Sequence, residues 1–242
     1  MGKTGRGANI ETLPFWAGMA AYGRGDQIER HRHDYAYAAL VVSGGYLEAG
    51  DAGRFHVEPG HIVIHEAHEA HQDRFHPTGA RVLNLPLAES AVAAGLYRAS
   101  EPDLLIRTAE RDLHAASQLL QAELIPETGM LNDWPDLLAE ALKQDMVFSL
   151  SDWAETMGLA PQSVSRGFRI AYGVSPKAFR AEHRALRAVR MLSTSATSMA
   201  ELAAELGFAD QAHMTRLVRR LSGRTPGSLR VHSVQEAGSE ER

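Results

Sequence analysis

The 242-residue sequence predicts a two-domain α+β chain: a small N-terminal antiparallel β-barrel with following helices, then an all-α C-terminal domain of two helix-turn-helix units joined by a linker helix. Three observations lead there. Between residues 15 and 87 short apolar stretches alternate with Gly and Asp, which is strand spacing; beyond residue 99 apolar residues recur at steps of three and four; and a single pattern occurs twice within that helical region. The length exceeds one typical domain and falls short of three.

Composition narrows the classes. The longest apolar run, Ala36–Val42, is far shorter than the ~18 residues of a membrane span, so no membrane partner is expected. Lys3 and Arg6 near the start are followed by no apolar segment, which argues against a signal peptide and for a cytoplasmic protein. The absence of cysteine excludes disulfides, thiolate zinc sites and cysteine nucleophiles, and leaves His/carboxylate sites open. Charge is divided unevenly. Residues 1–145 hold 12 Lys and Arg against 21 Asp and Glu, whereas residues 146–242 hold 13 against 9, so only the second half is suited to a polyanion.

Along the N-terminal half, Tyr37–Val42, Gly45–Leu47, Arg54–Val57, Ile62–Ile64 and Val82–Leu87 read as strands, with Gly44-Gly45 and Asp51-Ala52-Gly53 as turns. Nine of the twelve histidines precede residue 146. His31 and His33, two apart, point to one face of a strand, where a third histidine from a neighbouring strand completes a cluster. His65-Glu66-Ala67-His68-Glu69 superficially resembles a zinc-protease motif, but its second histidine stands at i+3 and the stretch reads as a loop. Neither a Gly-rich phosphate loop, a G-x-S-x-G elbow nor a paired set of catalytic carboxylates is present, so no enzyme and no catalytic residue is expected.

Ser100-Glu101-Pro102-Asp103 reads as a helix start, and Ile106, Ala109, Leu113, Ala116 and Leu120 form an apolar stripe that packs either on the barrel or on a partner helix in a homodimer. A loop at 126–133 and a short helix at 134–146 follow. The repeat comes next. Ser149-Leu-Ser-Asp-Trp-Ala-Glu-Thr-Met-Gly158 and Ser198-Met-Ala-Glu-Leu-Ala-Ala-Glu-Leu-Gly207 match at an offset of 49, each with a capping-box pattern, an alanine four before a glycine, and a second helix behind it. Val164 and Phe168 in one copy, and Met214 and Val218 in the other, give that second helix its inner face. Gly173…Pro176 and Gly223…Pro226 close the copies. Two such units in register make paired helix-turn-helix motifs. Between them Lys177–Leu192 reads as a linker helix of about 24 Å.

Met157-Gly158-Leu159, Ser165-Arg166…Phe168, Gly173-Val174-Ser175-Pro176, Gly207-Phe208-Ala209-Asp210-Gln211 and Arg216…Gly223…Thr225-Pro226 together resemble the AraC/XylS family of bacterial transcription regulators over residues 148–230. Gly167, Val218 and Ser222 depart from its pattern, where larger or aromatic residues are usual, which implies a looser core under the second reading helix. The N-terminal half resembles a cupin-like barrel through His31-Arg32-His33, Gly44, Pro59-Gly60 and His71. Tyr37 and Ala38 stand where metal-binding cupins carry a glutamate, so no metal and no cofactor is assigned, and an accessory-domain enzyme or a metal sensor is the weaker alternative.

The resemblance implies a sequence-specific, ligand-responsive activator that binds double-stranded DNA, an unknown small-molecule effector and RNA polymerase, and that forms a homodimer. In a helix-turn-helix the second helix lies in the major groove. Its outward residues here are Gln162, Ser163, Ser165, Arg166 and Arg169, then Gln211, His213, Thr215, Arg216 and Arg219; Arg pairs with guanine and Gln with adenine. His31, His33, Tyr37 and His71 are the candidate ligand-pocket residues. The expected domains are a cupin-like sensory domain at 10–98, a helical linker with dimerisation helices at 99–146, the double helix-turn-helix at 147–232 and a disordered tail at 233–242.

Overall fold

A computed structural model describes residues 11–12, 16–88, 92–129, 131–144, 149–195 and 197–230; the tail expected at 233–242 and the boundary at 146–147 lie outside the described residues. The chain divides into two compact units, residues 1–136 with 167–173, and residues 137–166 with 174–242.

Among the described residues the first unit is built on nine strands: β1 (Glu11–Thr12), β2 (Gly18–Tyr22), β3 (Gln27–Arg32), β4 (Tyr37–Gly50), β5 (Arg54–Val57), β6 (His61–His65), β7 (Ala70–Pro86), β8 (Gly95–Ala99) and β9 (Leu124–Pro126). They pair in the order β1-β3-β7-β4-β6-β8-β9, with β2 also on β7 and β5 also on β4. Every pairing is antiparallel except that of β1 with β3. Among the described residues no pairing joins β1 to β9, so the sheet is open rather than closed on itself.

Alternation along β4 builds two cores, because successive side chains leave a strand on opposite faces. Tyr37, Ala39 and Val41 enter one cluster with Phe55, Val63 and Phe75. Ala38 and Leu40 enter the other with Ile62, Ile64 and Leu85. The strand runs on through Gly44-Gly45, where two separate strands and a turn were expected. Register shifts at Val41/Ser43 and Gly44/Tyr46 mark bulges there, and Gly44 takes a left-handed φ of 74° against the backbone of Gly79. Long-range pairing with β7 thus overrides a local turn signal.

Behind the second cluster lie α1 (Pro102–Ala109) and α2 (Leu113–Glu123). The expected single helix is two, with Asp112 capping α2 by accepting from the His114 and Ala115 amides at 2.8 and 3.0 Å. Ser100, expected as the first cap, instead hydrogen-bonds the Glu123 carboxylate, and Glu101 takes the cap position without a side-chain bond. Leu105, Ala116 and Leu120 are fully buried in the sheet cluster, with Ile106, Ala109 and Leu113 packed against it. The apolar stripe is covered by the sheet. In the same unit Arg54 is held between Asp136, 2.7 Å from its Nε, and Asp133, and the Tyr172 hydroxyl donates to Asp136 at 2.8 Å.

The helical elements that follow are α3 (Trp134–Lys143), α4 (Leu150–Thr156), α5 (Pro161–Tyr172), α6 (Pro176–Thr194), α7 (Met199–Glu205) and α8 (Gln211–Ser222). Residues 226–230 are helical as well. The bounds repeat the sequence offsets, 49 between α4 and α7 and 50 between α5 and α8. Backbone bonds repeat with them. Leu159 N–H donates to Ala154 O at 2.8 Å and Phe208 N–H to Ala203 O at 2.9 Å, each around a glycine with φ of 66° or 69°, the left-handed closure a side chain would oppose. Ser198 and Glu201 form a complete reciprocal capping box; Ser149 caps α4 alone, accepting from Ser151 and Asp152 amides.

Candidate nucleic-acid interface and histidine cavity

Each second helix is sorted by periodicity into an inner and an outer face. On α5, Val164 and Phe168 are fully buried while Gln162, Ser163, Ser165, Arg166 and Arg169 are exposed. On α8, Met214 and Val218 are fully buried, packed with Leu192, Leu202, Leu206 and Phe208, while Gln211, Arg216 and Arg219 are exposed. The inner face under α8 is closed: Val218, where a looser core was expected, has no exposed surface. Arginines occupy the same register in both helices, Arg166 and Arg169 against Arg216 and Arg219, at the offset of 50.

Two candidates on α8 are less available than periodicity implied. His213 is half-buried, its ring edge-on to Phe208 with centroids 5.6 Å apart and its Nδ1 accepting from the Ala209 amide at 3.4 Å. Thr215 is half-buried too. Asp210 caps the helix, accepting from the His213 amide at 2.6 Å, so the chain enters α8 at a fixed angle. On α6, Arg184 donates to Gly207 O at 2.8 Å, fastening that helix to the turn between α7 and α8.

Sheet pairing assembles the histidines. His31 on β3 stands directly across from His71 on β7, and Tyr37 on β4 directly across from His65 on β6. Ring centroids of His31 and His71 are 4.3 Å apart, those of His65 and His71 also 4.3 Å, and Tyr37 stacks on His65 at 4.5 Å. His33, just past the end of β3, places its Nε2 3.1 Å from that of His31. The Tyr37 hydroxyl lies 3.2 Å from His71 Nε2. His31, His33, Tyr37 and His71, the four residues singled out by sequence, line one cavity of about 440 Å³ together with Trp16 and Asp73. His65, on the neighbouring strand, was missed. Alternation along His61–His65 gives its face, but only the pairing of β6 with β4 shows that it meets Tyr37.

Burial sets the protonation. It pulls His31 down to about 4, against a hydrogen bond to the Glu29 carbonyl that acts the other way, and His65 down to about 3. His71 is likewise held well below its usual value by burial and by its histidine neighbours. Burial raises Asp73 to about 7 and Glu48 well above the carboxylate range. At neutral pH the rings of His31, His65 and His71 are therefore uncharged, each with a lone pair to offer a ligand.

Residues 153–232 match the family model described as a helix-turn-helix domain. The virulence regulon transcriptional activator VirF of Yersinia enterocolitica is 32% identical over 91 residues, covering 38% of this chain and 34% of that protein. The arabinose operon regulatory protein of Escherichia coli K12 is 26% identical over 163 residues, 67% of this chain and 53% of that protein. Among solved structures, ToxT of Vibrio cholerae with a bound unsaturated fatty acid aligns over 88% of this chain and 93% of its own, with 9% identity and a TM-score of 0.40. The chain spans from 34% to 53% of the length of these two curated relatives. Residues 153–232 are thus a helix-turn-helix domain. The chain is similar to transcription regulators over part of its length. Among the described residues no helix is long and apolar enough to cross a membrane.

Proposed function

We propose that the chain is a sequence-specific, ligand-responsive transcription activator that reads two adjacent major-groove segments of double-stranded DNA with α5 and α8. The observation that carries this reading is the duplicated unit whose exposed faces present arginine at equivalent places, Arg166 with Arg169 and Arg216 with Arg219, in the basic half of the chain. Arg166, Arg216, Gln162 and Gln211 contact base edges, and Ser163, Ser165, Thr215, His213, Arg169 and Arg219 position the backbone or touch phosphate.

In this reading the sheet domain is a cupin-like sensory domain whose sheet stays open, and the histidine-lined cavity takes a small-molecule effector. The relatives named above are a transcriptional activator and an operon regulator, which supports activation through RNA polymerase. A homodimer uses a face other than the apolar stripe of α1 and α2, which the sheet covers.

The test starts from DNA fragments recovered with the full chain and a titration against the motif they share. Arg216→Ala weakens specific binding by about 1–3 kcal/mol and relaxes base preference at one position. Unchanged affinity and preference would remove Arg216 from the base-reading set, and failure to enrich any motif would overturn the regulator reading.

A further inference from the structure

The histidine cavity has the makings of something more specific than an organic pocket. Its three rings offer nitrogen atoms that all lie within 4.8 Å of one another. The His31 and His33 Nε2 atoms are already 3.1 Å apart. Nitrogens bound to one ion at 2.0–2.1 Å, in tetrahedral or octahedral geometry, are about 2.9–3.4 Å apart, so this pair needs almost no movement to share an ion. The His31 ring is pre-oriented: Nδ1–H donates to the Glu29 carbonyl at 2.9 Å, which fixes the tautomer and leaves the Nε2 lone pair facing the cluster. That is the outer-shell bond metal-bound histidines use. On the facing strand, His71 Nδ1 is buried with no hydrogen-bond partner among the described residues.

From this geometry we propose that His31, His33 and His71 form a three-histidine site for one divalent transition-metal ion, with the cavity side left open for a water or for the effector. The absence of a nearby glutamate changes the kind of site rather than its existence. Three imidazole nitrogens and an exchangeable position suit zinc, nickel, cobalt or ferrous iron, and the cysteine-free chain offers no thiolate to favour softer ions. The proposal gives the effector cavity proposed above its binding chemistry and rests on that reading of the cavity.

Zinc chloride and cobalt chloride are titrated into chelator-stripped full-length protein, with binding read by calorimetry and by the visible absorption of bound cobalt. One ion per chain is expected, with His33→Asn and His71→Gln each weakening binding by at least about tenfold and the exposed His114→Asn leaving it unchanged. His33 is half-buried, so its variant tests the site without emptying the core, and circular dichroism confirms that each variant folds. No saturable binding, or binding indifferent to His33→Asn and His71→Gln in folded protein, overturns the proposal. DNA binding measured on the same samples keeps the two readings apart: a protein that binds its motif but no ion sinks only the metal site, and one that binds the ion but no motif sinks only the regulator.

Discussion

Position 167 shows how one residue can reverse a general rule. Glycine inside a helix is ordinarily worse than alanine by about 1 kcal/mol. Here a Cβ on Gly167 would stand 2.5 Å from Cζ2 of the Trp134 ring, and a ring has little room to yield. Gly167→Ala is expected to destabilise the first unit by about 1–3 kcal/mol in a denaturant melt, because overpacking outweighs helix propensity. A gain in stability would show that Trp134 does not pack there. Asp73 makes a second residue-scale case. Burial raises its carboxyl to about 7, and its Oδ1 has no hydrogen-bond partner among the described residues. The unfolded chain ionises this group near 3.8, so the folded state loses stability as pH rises from about 4 to 7 and stays lower above. Asp73→Asn should therefore raise the melting temperature at pH 8, with the gain shrinking as pH falls through 7 towards 4. The buried histidines act in the opposite sense: His31, held at about 4, loses stability for the fold as pH drops below 6.5. Comparing the variant with the parent cancels that contribution, and a pH-independent difference would contradict the assignment to Asp73.

Elements were legible where their signals are local. The caps at Ser149 and Ser198, the closing glycines and the prolines at 161, 176 and 226 lie within a few residues of what they control, and the two helix pairs fall where the repeat puts them. Even so, the two caps differ. Glu201 returns a bond to the Ser198 amide at 3.1 Å, completing the box, whereas the cap at Ser149 works through the serine alone. Ser198→Ala should cost about 1 kcal/mol, read as a lower melting temperature, and Glu201→Ala should cost a fraction of the same energy rather than add to it. Full additivity would mean that the two bonds act independently. The sheet was legible only in pieces. β5 and β6 were readable as apolar runs; β4 and β7, 14 and 17 residues long, were readable only in part, because bulged pairing between distant segments carries β4 through Gly44-Gly45, which reads as a turn, and β7 well upstream of its apolar run. The break between α1 and α2 was hidden for another reason: an apolar stripe at steps of three and four continues across it.

At the scale of the whole molecule the same contrast divides the two sites. A helix that presents a face to DNA needs only its own periodicity, so the outward arginines of α5 and α8 could be named from sequence. The histidine cavity depends on which residue of β3 faces which residue of β7 and which of β6 faces β4, and register is not written in either strand alone. His31, His33 and His71 could be grouped because two are neighbours and the third was sought; His65 and Asp73 join them only through pairing. The charge division belongs to this scale too. An acidic N-terminal half does not compete for a polyanion, which in the proposed reading confines nonspecific attraction to the half that carries α5 and α8.

The 19 residues of α6, Pro176–Thr194, span about 28 Å along the axis. A rod of set length between two readers makes helical phase an element of the message. Inserting about five base pairs between the half-sites, half a turn of duplex, carries the second half-site to the opposite face, out of reach of α8. Affinity should then fall to that of a single half-site even though every contacted base is kept. A spacing series in a gel-shift titration reads this directly, and an affinity that ignores the insertion would mean the two units move independently of each other. Under selection, such a regulator would have its operators change at individual bases far more readily than in the distance between them.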